Sequence, residues 1–161
     1  MHVNDEAFIR RAYGLARDAV AHGNHPFGAL LVFDEEVLME SENEVVTSRD
    51  VTRHAETRLV ATASARFETA QLAPSTLYTS TEPCIMCCGA IHWAGIRRIV
   101  FGVRGKAMVA SFAGDYRGIA CRDVFATLNP SVEIVGPLLE AEGLELHRNF
   151  WPEFLARNRS S

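Results

Sequence analysis

His54-Ala55-Glu56 and Pro83-Cys84-Ile85-Met86-Cys87 carry the residue types of a reactive metal centre. One imidazole and two thiols supply three zinc ligands, and Glu56 offers a carboxylate beside them, with no fourth protein ligand in either motif. A zinc held by three protein ligands keeps an open position, where water can bind and be made nucleophilic. Cys84 and Cys87 are three residues apart, so on a helix they share one face within reach of one ion. In that helix's first turn, unpaired N–H groups and the positive dipole end lower thiol pKa values. Two thiolates cancel the double charge of zinc and leave a nearly neutral centre suited to an uncharged substrate. Thiolates also donate more charge than imidazoles, so water bound there needs a base, and Glu56 stands ready for the proton. A carboxylate that takes this proton, passes it to a ring nitrogen and then to a departing amine does general acid–base work worth about 10² to 10⁴ in rate.

Two plainer readings compete. A structural zinc needs a closed fourth position, for which Cys88 is the nearest candidate. Adjacent helical residues point about 100° apart, so Cys87 and Cys88 hardly share an ion, and Cys88 is expected to pack in the core. A redox pair would explain Cys84-x-x-Cys87 but leave His54 and Glu56 without a role. The fourth cysteine, Cys121, lies far along the chain. Three cysteines crowded into five residues resemble a metal cluster more than a framework of bridges, which points to a reducing cytoplasm.

The elements that position these residues follow from periodicity. Phe8, Ala12, Leu15 and Ala19 recur at helical spacing, with Asn4 or Asp5 as the N-cap and Gly23 beyond the end. Residues 27–33 read as a buried strand, turned by Asp34-Glu35-Glu36 into a second strand through Val45. Arg53 to about Phe67 reads as a helix, followed by a loop around Pro74 and a strand at Thr76–Ser80. Pro83 suits the first position of the next helix, which Gly95 should end. A strand at 97–102, a Gly-rich loop, a short helix near 121–127 and a strand at 131–135 follow. From about 138 to 156 the pattern is helical, with Gly143 and Pro152 as interruptions. Helices alternating with strands imply a three-layer α/β/α domain around a central mixed sheet.

A chain of 161 residues with 48% hydrophobic content is long enough for one domain with a full core. A single domain over 1–161 is expected, with residues about 138–161 as a C-terminal helical segment near the active site. No stretch approaches the roughly 20 apolar residues of a membrane span, and the N-terminus lacks a signal peptide's apolar region. The net charge of −4 counts against a polyphosphate partner and favours a small neutral one. Arg97, Arg98, Arg104 and Lys106 form a local basic cluster, read as solvated strand-end and loop residues.

With these motifs in place, the chain resembles the cytidine-deaminase-like superfamily, within it the bacterial guanine and cytosine deaminases and the tRNA adenosine deaminases. The likeness runs to about residue 105, through Pro26-Phe27-Gly28-Ala29, Asn43, Asp50–Glu56, Leu77-Tyr78-Thr79-Ser80 and the Cys84 helix. It implies that His54, Cys84 and Cys87 bind one zinc per subunit and that Glu56 shuttles protons. It also points to Asn43, whose amide could meet a base carbonyl and ring N–H together, although an Asn at a strand end is often a turn residue. Phe27 matches a position facing the flat base, with core packing as the alternative. Trp93 resembles a base-stacking Trp of guanine deaminases, or else packs. Asp115 follows a loop where guanine deaminases carry a carboxylate that could read an amino group. His92 is expected to cap packing, and His22 and His25 to lie in the loop entering the first strand.

The resemblance implies hydrolytic deamination of a free nucleobase or similar amino-heterocycle: guanine, cytosine, an amino-triazine or a modified purine. Ala90-Ile91-His92-Trp93-Ala94 is similar to the guanine subgroup. Guanine deaminases of this fold close the site with a terminal aromatic, whereas this chain ends Arg157-Asn158-Arg159-Ser160-Ser161 and offers Phe150-Trp151 earlier. A tRNA adenosine deaminase is the alternative, suggested by Phe101-Gly102 followed by Arg104 and Lys106, and it would need many phosphate contacts. A zinc-stabilised binding module is the non-catalytic one. Relatives are usually dimers, so a homodimer is expected; the clusters Leu138-Leu139 and Phe150-Trp151-Phe154 could serve it or pack within one subunit.

Overall fold

A computed structural model describes residues 4–158; Arg159, Ser160 and Ser161 of the basic tail lie outside the described residues. The strands β1 (Gly28–Phe33), β2 (Glu36–Glu42), β3 (Thr76–Thr81), β4 (Arg98–Val103) and β5 (Glu133–Val135) form one sheet in the order β2-β1-β3-β4-β5. β1 runs antiparallel to both neighbours, while β3, β4 and β5 are parallel. The mixed sheet is the expected one.

Alternation along the strands assigns their two faces. Leu30, Val32, Tyr78 and Val100 face a core with Ile9, Ala12 and Tyr13 of α1 (Asp5–Ala21) and with Leu144 and Leu146 of α8 (Glu140–Asn158). Ala29, Leu31, Leu77, Ile99 and Phe101 face the opposite core. That core is covered by α3 (Ala55–Ser64), α5 (Ile85–Ala94) and α7 (Cys121–Leu128), which contribute Leu59, Ile91 and Phe125. This is the α/β/α sandwich expected from the sequence, with α3 and α5 side by side. No helix among the described residues is long and apolar enough to cross a membrane.

Several local expectations need correction. β2 stops at Glu42 because the Asn43 side chain accepts the Val45 N–H at 3.1 Å and turns the chain into the short helix α2 (Val45–Ser48). Pro83 precedes the helix it was expected to begin: Cys84 is extended (φ −71°, ψ 169°) and acts as the N-cap of α5. Asn4 caps α1 by position, but its side chain bonds Glu35 instead at 2.8 Å. The loop before β3 holds α4 (Thr69–Leu72), closed by a capping box of Glu68 and Gln71. The Gly-rich loop contains α6 (Gly105–Ala110).

Neither Gly143 nor Pro152 breaks α8. Gly143 is required where α8 closes on α1, since a Cβ there would lie 2.5 Å from the Tyr13 ring. Gly95 ends α5 as expected, at φ 78°. The basic cluster splits. Arg97, Arg104 and Lys106 are exposed, but Arg98 is buried and reaches Asp5 through both terminal nitrogens at 3.1 and 2.9 Å. A buried guanidinium requires such a bidentate partner to offset lost hydration.

Candidate active site

Two helix N-termini meet at the C-terminal ends of the parallel strands. His54 is the N-cap of α3 and Cys84 the N-cap of α5, and Glu56 and Cys87 lie in the first turns of the same helices. The cap positions turn both side chains toward the gap between the helices. Cys84 Sγ lies 3.7 Å from His54 Nδ1, Cys87 Sγ lies 3.6 Å from the same nitrogen, and the sulfurs are 3.6 Å apart. Zinc bonds of about 2.3 Å to sulfur and 2.0–2.1 Å to nitrogen put tetrahedral ligand atoms roughly 3.5–3.8 Å apart. The triangle therefore fits zinc without rearrangement, and His54, Cys84 and Cys87 are placed to bind it.

The thiols are already polarised against one another. Its contact with the Cys87 sulfur at 3.6 Å, helped by His54, holds the Cys84 thiol down at about 4. The same contact and burial push the Cys87 thiol up. His54 is raised, chiefly by its bond to Cys84. Cys88, fully buried, donates to the Pro83 carbonyl at 3.5 Å and belongs to the core, as expected.

Glu56 is 5% exposed. Its Oε1 accepts from Thr79 Oγ1 at 2.9 Å and its Oε2 from the Cys87 thiol at 3.5 Å. Desolvation raises its pKa, opposed by its hydrogen bonds and by His54. A carboxyl so placed can carry a proton beside the metal ligands without leaving the wall of the site.

Above this floor lies a cavity of about 300 Å³. Phe27, His54, Glu56, Thr81, Cys84 and Ile85 line one part of it, and Met108, Tyr116 and Ile119 close the other. Glu82 holds the second wall in place: Oε2 accepts the Gly105 N–H at 3.0 Å and Oε1 the Cys121 N–H at 2.9 Å. One carboxylate thus caps the starts of α6 and α7 and ties the segment between them to the end of β3.

The other expected residues divide. Phe27 lines the cavity, and its ring is backed by His147 and Trp151 at centroid distances of 5.6 and 6.1 Å. Asn43 is 1% exposed; its N–H donates to the Phe27 carbonyl at 3.0 Å and its Oδ1 closes the turn, while Nδ2 has no partner. It does not line the cavity within one chain, and neither do Trp93 and Asp115. Trp93 is 84% exposed, on a stripe with Ile85 and Gly89 that faces away from the buried Cys88 and Ile91. Asp115 pairs at 3.0 Å with Arg117, both side chains well exposed. His92 contacts the Trp93 ring, and His22 binds Glu42 at 2.7 Å. His25 packs among Phe150, Trp151 and Phe154, and burial lowers its pKa.

Sequence reasoning missed Thr79, Thr81, Tyr116, His147 and the position of Trp151. A signal for the first two existed: hydroxyls on alternate residues of a buried strand just before Pro83 need partners. His147 and Trp151 stand four apart on one helix, the spacing of a side-chain pair.

Comparison with known proteins agrees with this geometry. The profile of the cytidine and deoxycytidylate deaminase zinc-binding region matches residues 2–103. A probable cytosine deaminase of Schizosaccharomyces pombe is 38% identical over 151 residues, 91% of this chain and 92% of that protein. A tRNA-specific adenosine deaminase of Buchnera aphidicola is 32% identical over 154 residues, 94% of this chain and 90% of its own. The solved guanine deaminase from Nitrosomonas europaea superposes with a TM-score of 0.76 at 27% identity, covering 89% of this chain and 82% of that one.

Proposed function

The chain belongs to the cytidine and deoxycytidylate deaminase zinc-binding family, and from that premise we propose that it deaminates a free nucleobase or related amino-heterocycle, releasing ammonia. That it is a zinc-dependent hydrolytic deaminase follows from the family and the ligand set. The free-base assignment rests above all on the cavity. Its volume of about 300 Å³ is at the low end for small-molecule sites, and its lining is mainly apolar. Arg117 is the one cation among the described lining residues, and it already faces Asp115. A phosphorylated substrate would find little to neutralise it, and a net charge of −4 favours a neutral ring.

When bound, zinc acts as a Lewis acid that lowers the pKa of coordinated water toward about 7. Glu56 accepts one proton from the attacking water and delivers it to the ring nitrogen beside the amino-bearing carbon; it then takes the second water proton from the newly added hydroxyl and passes it to the departing amine. Water supplies the oxygen of the new carbonyl and ammonia leaves, so no other reactant is required. Thr79 steadies the carboxylate through Oε1. Phe27 offers its face to the flat ring, and the Asn43 N–H, bonded to the Phe27 carbonyl at 3.0 Å, helps hold that residue in the wall.

Ammonia release by zinc-loaded protein tests this reading against guanine, cytosine, adenine, amino-triazines, O6-alkylated purines, nucleosides and a tRNA anticodon stem-loop. Turnover of nucleosides with none of any free base would defeat it. The tRNA reading draws on the near full-length match to a tRNA-specific adenosine deaminase; tight, salt-dependent binding of the stem-loop would favour it, and none at low salt would remove it.

A second copy of the chain is the proposed partner. Ile85, Gly89 and Trp93 follow at four-residue steps and leave an apolar stripe of α5 open, with Ile85 60% exposed. Ile85 also lines the cavity, so a partner seated on this stripe would border the site.

A further inference from the structure

The C-terminal helix reaches the cavity through a directed chain of hydrogen bonds that the deaminase reaction itself does not require. Trp151 Nε1 lies 3.2 Å from His147 Nδ1, and His147 Nε2 lies 3.1 Å from Thr81 Oγ1. Indole N–H is a donor only, so Nδ1 must accept, and the one proton of the neutral ring sits on Nε2. That proton points at the Thr81 hydroxyl oxygen. Thr81 therefore receives a hydrogen bond from behind, and its own hydrogen has no acceptor among the described residues. The side chain is 4% exposed and lines the cavity beside Glu56 and Cys84. A buried hydroxyl with an unspent hydrogen at a cavity wall is a donor waiting for an acceptor.

We propose that Thr81 is a specificity-determining residue that donates to an exocyclic oxygen of the substrate ring, and that His147 and Trp151 are positioning residues that hold its hydroxyl in the donating sense. The other polar side chains of this wall are engaged, while Tyr116 and Arg117 belong to the second wall. His54 and Cys84 are zinc ligands, and Glu56 acts at the ring nitrogen. Both Glu82 oxygens are taken by the Gly105 and Cys121 amides. Of the acceptors left on an amino-oxo ring, purine N3 and N7 included, the carbonyl oxygen projects furthest beyond the ring edge toward a wall hydroxyl. The substrate class narrows accordingly to amino-oxo rings, and rings with C–H or N–H at that edge are disfavoured. Burial supports the arrangement: His147 is 1% exposed and its ring is backed by Phe27, so water cannot replace Trp151 as the Nδ1 partner. The inference rests on the free-heterocycle reading above.

The test pairs two readouts on the zinc-loaded full chain. Kinetics compare cytosine with 4-aminopyrimidine and guanine with 2-aminopurine, pairs that differ in the exocyclic oxygen. Wild type should prefer the oxygenated member. Thr81→Val should weaken that preference about tenfold, with KM rising more than kcat falls, while Thr81→Ser keeps it within about threefold. Trp151→Phe, which releases Nδ1 while keeping an aromatic ring behind Phe27, should weaken it in the same direction and serves if Thr81→Val does not fold. An unchanged preference in a folded Thr81→Val or Trp151→Phe protein overturns the proposal. Independently, ¹⁵N NMR of the His147 ring should show the neutral Nε2–H tautomer in wild type and a mixture in Trp151→Phe. An Nδ1–H tautomer in wild type overturns the relay. If no free heterocycle is turned over, the free-base reading and the oxo-ring assignment fail together, while the tautomer still decides the relay on its own.

Discussion

Thr79 Oγ1 lies 2.9 Å from Glu56 Oε1 and 3.1 Å from the Thr81 carbonyl oxygen, so one hydroxyl hydrogen serves two acceptors. With Glu56 ionised, the hydroxyl donates to the carboxylate. With Glu56 protonated, the carboxyl can donate to Thr79 and the hydroxyl turns to the backbone. Thr79 therefore fits both states of a proton carrier without leaving a buried group unpaired. Thr79→Val should lower kcat about tenfold with little change in KM, and Thr79→Ser should restore it. Glu56→Gln should cost about 10² to 10⁴ in kcat while zinc content, read by elemental analysis, stays at that of wild type.

Removal of zinc should abolish activity but leave the fold. The two hydrophobic cores include none of the three ligands, and the strand ladders run without them. Protein stripped by a chelator should keep its far-UV circular dichroism and regain ammonia release on addition of stoichiometric zinc. Unfolding of the stripped protein at 25 °C would instead mark the metal as structural and favour the binding-module reading.

Burial lowers the His147 pKa to about 4 from an ordinary value of 6.5. Between these values the unfolded chain binds the proton and the folded one does not. The contribution is thus fully present above pH 6.5 and is lost as pH falls through the window to 4, up to about 3 kcal/mol. His147→Gln can accept from Trp151 and donate to Thr81 without titrating. It should flatten the fall of the urea midpoint over pH 6.5–4 relative to wild type; parallel profiles would show that other groups govern acid sensitivity.

Gly28 lets α1 lie directly on β1. A Cβ there would come within 2.5 Å of Leu15 Cβ and 2.6 Å of the Ala12 carbonyl oxygen. Gly28→Ala should destabilise the fold by about 1–3 kcal/mol in urea unfolding, and because Phe27 precedes it, KM should rise as well.

The exposed stripe of Ile85, Gly89 and Trp93 predicts self-association. Light scattering at micromolar concentration should give twice the chain mass for wild type and the single mass for Trp93→Glu. A single mass for wild type would remove the dimer.

The legible part of this protein is the part in which chemistry is written in close spacing. His54-x-Glu56 and Cys84-x-x-Cys87 announce a three-ligand zinc with a carboxylate at hand, because a helix repeat puts residues three apart on one face wherever the helix goes. Alternating apolar residues on β1, β3 and β4 likewise declare a sheet covered on both faces. Helix ends were less legible: Pro83 suited a first helical position, yet the extended backbone of Cys84 takes the cap and turns its thiol to the metal side. Gly143 and Pro152 read as breaks in α8 because propensity ignores the packing of Gly143 against Tyr13, which outweighs it.

Substrate contacts were hardest to read, since they join distant segments. Trp93 sits close to the cysteines in sequence, but four-residue steps from Ile85 carry it to the outer face of α5, 84% exposed. His147 and Trp151 lie more than sixty residues from Thr81, and only the return of α8 across the sheet brings them behind it. By itself the sequence determined the reaction, because metal ligands and a proton carrier follow from residue type and local helical spacing. Tertiary structure decided what walls the cavity and which hydroxyl faces it, because hydrogen-bond direction and burial exist only once separate elements have packed.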